Sequence, residues 1–292
     1  MWRDDRRLGW VTIGFGLLTF IAYWVIHAAW AVGVRLLGQA IRAPEMLSGT
    51  LSRAGGIVLA VGASAVAARI VWGGDPQRLG SMTHRGWLCD LRSLGLTTYR
   101  GWLGDAVYGT VLTAAAMMVL FTIYVRGGWL VITAWRWQTA PFGQWCAMLW
   151  ISFLTSLQAA LGEEAMFRGY LLNGLTKAWG PARGIVATSV MFALPLFLVA
   201  ITGPSLLLGW AYLRAGSLWL PVGIHFAWNF VQNGLLNLPG RTGPNVFGAQ
   251  ARLAGAPWLV GTSYGVEVGL LSLIPLGIVA PGVYIWLRYR GR

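Results

Sequence analysis

Only three of the nine acidic residues in the chain follow Asp105, and two of those, Glu163 and Glu164, are adjacent. They stand at the end of a long uncharged run, in Gly162-Glu163-Glu164-Ala165-Met166-Phe167-Arg168-Gly169-Tyr170. An ionisable group at membrane depth is costly, and marks function by default. Glu164 and Arg168 are four residues apart, so on a helix they share a face and can pair. Glu163 points about 100° away and can turn into a polar cavity as a general base. The second constellation is Gly223-Ile224-His225-Phe226-Ala227-Trp228-Asn229, with His225 and Asn229 again one turn apart in apolar and aromatic surroundings. Such a pair can donate two hydrogen bonds to a developing oxyanion, which is what acyl transfer needs. His27, in the first apolar run, and His84, in a basic connector, have no comparable partner in the sequence.

Two polar pairs matter here because the rest of the chain is so apolar. Of 292 residues, 57% are hydrophobic and 11% charged, against roughly 25% charged in an average soluble domain. Mean hydropathy is +0.62. This composition excludes an ordinary soluble domain, a disordered chain and a disulfide-stapled miniprotein. The net charge is +13, and Lys177 is the one lysine among 22 basic residues. In a membrane protein arginines crowd loops and helix ends against anionic headgroups, so the charge points to the lipid bilayer as partner and to no nucleic acid. Cys89 and Cys146 form no CxxC pattern, which leaves neither a disulfide framework nor a thiolate metal site.

The predicted architecture is all-α and polytopic, with about seven or eight transmembrane helices of roughly 20 residues. Apolar runs at 8–34, 54–72, 106–125 and 137–162 supply four, and 218–240 and 268–287 two more. The first is too long for a signal peptide, whose apolar region is about 7–15 residues. Between 75 and 105, arginines alternate with Trp87, Leu88, Leu91, Leu94 and Trp102, as in an interfacial connector. After Glu164 a shorter helix is expected as far as Trp179, stopped by Gly180-Pro181. The run 184–213 is interrupted by Pro195 and Gly203-Pro204 and has length for one span and a half. The chain therefore divides into N-terminal spans with the connector, 1–105, and a membrane core, 106–292, that holds both polar motifs. Arginine-rich ends place both termini in the cytoplasm, and the scarcity of lysine fits a GC-rich bacterial genome, hence a bacterial cytoplasmic membrane.

At these motifs the sequence resembles the CPBP intramembrane proteases, which include the type II CAAX prenyl endopeptidases and the bacteriocin-processing or Abi proteins. The resemblance rests on Glu163, Glu164, Arg168 and Gly169-Tyr170-Leu171-Leu172, and continues from Leu208 through Trp219 into His225-Phe226-Ala227-Trp228-Asn229. It covers 145–230, with a looser echo at Tyr264-Gly265-Val266-Glu267. It implies a membrane endopeptidase in which Glu163 activates water, Glu164 and Arg168 support it, and His225 and Asn229 stabilise the oxyanion. The substrate would be a peptide or membrane-protein segment. The family's middle Phe-x-x-x-His motif starts at Phe192, but Leu196 stands at the histidine position, and no histidine lies between His84 and His225. A block missing from there would fuse two family helices or reduce one to a half-span. No metal is expected, because a catalytic zinc wants three protein ligands and only Glu163 or Glu164 and His225 are plausible ones. The contrasting reading is a catalytically inactive relative serving as a membrane scaffold or immunity factor. A third is a small transporter with Glu163 as its proton-carrying carboxylate. Glu163→Gln separates them, since it should abolish proteolysis, spare scaffolding and uncouple transport from pH.

Overall fold

The structure, a computed structural model, describes residues 5–42, 44–72, 91–132, 135, 138, 140–193, 199–236, 251–262 and 265–290. Several residues singled out above lie outside them: His84, Trp87, Leu88 and Cys89 of the connector, Tyr264, and the middle-motif positions Pro195 and Leu196, as do 1–4 and 291–292 at the arginine-rich ends and the first residue of the run 137–162.

Where lipid replaces water every backbone polar group needs an internal partner, so apolar runs become helices. The first two, α1 (Asp5–Ala40) and α2 (Glu45–Trp72), lie against each other. Next come α3 (Trp102–Arg126), α4 (Phe142–Glu164), α5 (Asn173–Trp179), α6 (Pro181–Ala193), α7 (Val199–Ala215), α8 (Trp219–Asn229), the single-turn α9 (Pro257–Val260) and α10 (Leu273–Tyr289). Among the described residues, five helices are long and apolar enough to cross a membrane: Arg7–Ala40, Glu45–Val71, Trp102–Arg126, Phe142–Trp179 and Leu270–Tyr289. Only 6% of the most apolar window of α1 is buried, and Leu18, Ile21 and Val25 are exposed, as expected of a helix facing lipid. The chain is thus an all-α membrane protein.

The helix at the first motif differs from the expected pair of elements. It runs unbroken from Phe142 to Trp179, because a π-helical segment, Ala165–Leu172, joins α4 to α5. It stops at Gly180, whose φ of 85° suits a residue without Cβ. A second π segment, Phe230–Leu235, follows α8 directly after Asn229. Both motifs therefore sit at α-to-π junctions, a rare local geometry frequent at functional sites. The run 184–213 also resolves differently from its proline pattern. Pro204 lies inside α7 without ending it. With 13 and 17 residues, α6 and α7 reach about 20 and 25 Å, each short of a ~30 Å hydrocarbon core.

Close approach of backbones sets the position of the site. On α2 and α4, Gly49 meets Ile151, Arg53 meets Thr155, Gly56 meets Gln158 and Ala60 meets Gly162, so the two helices run parallel in register. A Cβ on Gly162 would be 2.9 Å from that of Ala60. Such small pairs let membrane helices pack tightly. Glu163 is thereby level with the middle of α2. On the other side, α3 and α8 make the most extensive helix contact. There a Cβ on Gly109 would be 2.7 Å from the Leu220 carbonyl oxygen, and one on Gly223 would run into that of Ala106.

The all-α class carries one small exception. A three-residue antiparallel ladder pairs β1 (Leu130–Ile132) with β2 (Ala251–Leu253). It ties the end of α3 to the segment that carries Glu267, and Tyr124 Oη donates to the Val260 carbonyl over 2.7 Å.

At the N-terminal end of α3, Asp105 is buried and accepts from Trp286 Nε1 at 2.7 Å, from Arg290 Nη1 and from Tyr99 Oη. Burial, and then the adjacent carboxylate, push the Tyr99 phenol above its usual range, so it stays a donor. These bonds fasten α10 and the connector to α3. Removing one partner of such a pair strands the other's charge. Asp105→Ala should cost about 3 kcal/mol, read as a lowered thermal midpoint of the protein in detergent. A midpoint equal to that of the parent protein would show that the network holds nothing together.

Candidate active site

The cluster begins at Glu164, the last residue of α4, whose side chain is 0% exposed. Its Oε1 accepts from Arg168 Nη1 at 2.8 Å, and Arg168 itself is 1% exposed. The other arm of that guanidinium, Nη2, donates to Ser205 Oγ on α7 at 2.7 Å. The Phe192 ring of α6 lies 4.7 Å from the guanidinium carbon. Three helices thus converge on one buried cation, as an ion pair removed from water requires further hydrogen bonds to be tolerated.

His225 of α8 completes the arrangement. Its Nδ1 is 2.8 Å from the same Glu164 Oε1, and its Nε2 is 3.7 Å from Glu163 Oε2. The imidazole is therefore fixed between two glutamates, one fully buried and one 31% exposed. With Nδ1–H donated to Glu164, Nε2 is the atom left to work in the cavity.

That cavity, about 80 Å³, is lined by Glu163, His225, Asn229, Phe192, Ser205 and Glu267 among others. It has room for a few ordered waters. The Asn229 side chain has no hydrogen-bond partner among the described residues. Of the five residues singled out in the sequence, Glu163, His225 and Asn229 face this space, while Glu164 and Arg168 lie behind it and hold the imidazole.

The sequence reading gave no role to three contributors. Ser205 is one of four serine or threonine residues in the apolar run 184–213, with Thr188, Ser189 and Thr202, and has no spacing to flag it. Gln232, fully buried in the second π segment, donates from Nε2 to Glu267 Oε1 at 2.7 Å. Glu267 itself, in a 3₁₀ turn at Val266–Val268, enters the cavity wall. In the sequence it stood only in the looser echo Tyr264-Gly265-Val266-Glu267, as the one acid after Glu164. His27 also differs from expectation, since it has partners. It stacks on Tyr23 with ring centroids 5.5 Å apart, and its Nε2 lies 2.9 Å from Gln158 Nε2.

The donors do not fit a catalytic zinc. No three His, Cys, Asp or Glu side chains among the described residues are placed to hold a metal ion, and the imidazole's Nδ1 is already engaged by Glu164.

Membrane helices thus enclose a cavity lined by glutamate, imidazole and amide side chains. Residues 145–231 match the family model described as Type II CAAX prenyl endopeptidase Rce1-like. The matched segment is just under a third of the chain's length, and all five motif residues fall inside it. No curated protein and no solved structure matches the chain.

Proposed function

We propose that this protein hydrolyses a peptide bond in a membrane-associated peptide or protein substrate, using a water activated by Glu163. What carries this reading is one juxtaposition: Glu163, His225 and Asn229 line a single cavity, with the imidazole braced by buried Glu164. In the reaction, Glu163 takes a proton from water as the water oxygen bonds to the scissile carbonyl carbon. The carbonyl oxygen becomes an oxyanion, which accepts from the Asn229 side-chain amide and from Nε2–H of a His225 imidazolium. Two donors aimed where charge develops, in a site poor in water, give the largest stabilisation. The C–N bond then breaks, and Glu163 returns its proton to the departing amine. Glu163, Glu164, Arg168 and His225 together are neutral when His225 is protonated, which suits a low-dielectric interior.

The test is hydrolysis of a lipid-modified peptide by the protein in nanodiscs. Asn229→Ala should lower kcat by about 10²–10³ with little change in KM, because its amide meets charge present only in the transition state. An unchanged kcat removes Asn229 from the mechanism.

The second reading, a catalytically inactive scaffold or immunity factor, is favoured by Leu196, which occupies the family's histidine position. It predicts no hydrolysis above background, and a partner protein retained equally by the parent chain and by Glu163→Gln. In either reading the arginine-rich ends face the cytoplasm.

A further inference from the structure

Ser205, on α7, uses only half of its hydroxyl. Its Oγ accepts from Arg168 Nη2 at 2.7 Å, and its carbonyl oxygen lies 3.3 Å from the same nitrogen. A hydroxyl also carries one proton to donate. Among the described residues that proton has no acceptor. The residue is 2% exposed, and it lines the cavity that Glu163, His225 and Asn229 face.

Other buried hydroxyls of the bundle are satisfied locally. Thr12, Ser64 and Thr188 each donate to the carbonyl four residues back at 2.8 Å, the ordinary way for a helix to absorb such a proton. Thr113 and Ser189 are buried without a partner among the described residues, but neither lines the cavity. Ser205 alone among these six combines a cationic donor on its oxygen, an unassigned proton and a place in the cavity wall.

Arg168 gives that proton both a direction and strength. The guanidinium is engaged behind the cavity wall and occupies one side of Oγ, so the open side is the cavity. A hydroxyl that accepts from another donor is polarised and becomes the better donor itself. The two cavity carboxylates do not take the proton, since neither Glu163 nor Glu267 lies within hydrogen-bond distance of Oγ. The other arm of Arg168 holds Glu164 Oε1, which in turn holds His225 Nδ1 at 2.8 Å. One buried cation therefore fixes the hydroxyl directly and the imidazole through a carboxylate. Donors fixed in advance need no reorganisation when charge develops.

We propose that Ser205 is a further catalytic residue, whose Oγ–H donates to the oxyanion as a third donor beside Asn229 and His225. This deepens the peptidase reading and rests on it. The serine forms no bond to the substrate, and its proton stays on Oγ throughout. The charge it meets is the electron pair pushed onto the carbonyl oxygen as the water oxygen adds to the carbon. Arg168 is then a positioning residue, which acts on the transition state through the oxygen of Ser205.

The experiment uses the full chain in nanodiscs with a lipid-modified peptide and its phosphinate isostere, in which an uncleavable tetrahedral anion replaces the scissile amide. Ser205→Ala should lower kcat by about 10²-fold, leave KM unchanged and weaken phosphinate binding by a similar factor. Ser205→Thr, which keeps a hydroxyl, should retain most of both. Ser205→Cys, whose thiol is a weak donor, should fall between them, and it stands in for the alanine variant if that does not fold. A serine that merely braces Arg168 predicts another pattern, in which the thermal midpoint drops and the affinities for peptide and phosphinate fall together. That pattern, or a kcat in Ser205→Ala equal to the parent's, overturns the proposal. So does covalent capture of Ser205 by a fluorophosphonate, which would make it a nucleophile. If the parent protein cleaves nothing, the peptidase reading fails by itself, and the donor is judged by equilibrium binding. Phosphinate affinity lost in Ser205→Ala with peptide affinity kept supports it, and unchanged phosphinate affinity ends it.

Discussion

Glu163→Gln is expected to lower peptide hydrolysis by about 10³-fold or more, while the protein keeps its fold, its elution as a single species and its affinity for substrate peptide. The side chain is replaced by one of the same shape that cannot accept a proton, and general-base catalysis is typically worth about 10²–10⁴ in rate. The residue is partly exposed to two cavities and, among the described residues, makes no hydrogen bond on which another element depends, so its loss should fall on kcat and spare stability. Glu164→Gln is the informative companion. Glu164 Oε1 holds both Arg168 and His225, and a neutral amide leaves that guanidinium buried without its counter-charge. The Glu164 variant should therefore lose thermal stability as well as activity. Equal stability losses in the two variants would mean that Glu163 is structural and that the base lies elsewhere. Hydrolysis persisting in Glu163→Gln at the rate of the parent chain would eliminate the mechanism.

The largest stability effect belongs to Arg168→Met. Arg168 and Glu164 are 1% and 0% exposed, and the guanidinium joins three helices through Glu164, Ser205 and Phe192. Breaking a buried pair by removing one partner costs about 3–5 kcal/mol, because the surviving charge stays buried and alone. Much of the protein should then unfold or fail to assemble, measured as recovery from detergent extraction and as a thermal midpoint. The double variant Glu164→Gln/Arg168→Met removes both charges and should regain part of the loss, since the two residues couple in a double-mutant cycle. Activity should not return with it, because His225 no longer has an anionic partner at Nδ1. Additive losses in the cycle would show that the pair is not an energetic unit.

Much of this site was legible before any coordinates, for a definite reason. Membrane depth removes most uses of a charged side chain, so the few that remain in an apolar chain carry information that they would lack in a soluble domain. Glu163, Glu164 and Arg168 declared themselves by standing at the end of an uncharged run, and the i, i+4 spacing of the last two anticipated their 2.8 Å pair. His225 and Asn229 stood out as a histidine and an amide one turn apart. Stretches of 20 or more apolar residues likewise specified helices, since lipid offers the backbone no other partner.

Tertiary packing decided the rest. No local spacing relates position 164 to position 225, and the contact exists because small residues let α2 lie against α4 and α3 against α8 at backbone distance. Ser205 and Gln232 were unremarkable where they stand in the chain, Glu267 stood only in a looser echo of the motifs, and all three acquire a role only through what folds beside them. The same holds for His27, partnerless in sequence and bonded to Gln158 once α1 meets α4. The π segments after Glu164 and Asn229 were not predictable from apolar periodicity, which does not separate a π turn from an α turn over eight residues. The sequence by itself determined a helical membrane protein with two sets of polar residues and the chemistry those residue types allow. Only the tertiary structure decided that the sets face one cavity, because it is long-range packing of helix faces, not spacing along the chain, that brings an acid, an imidazole and an amide together.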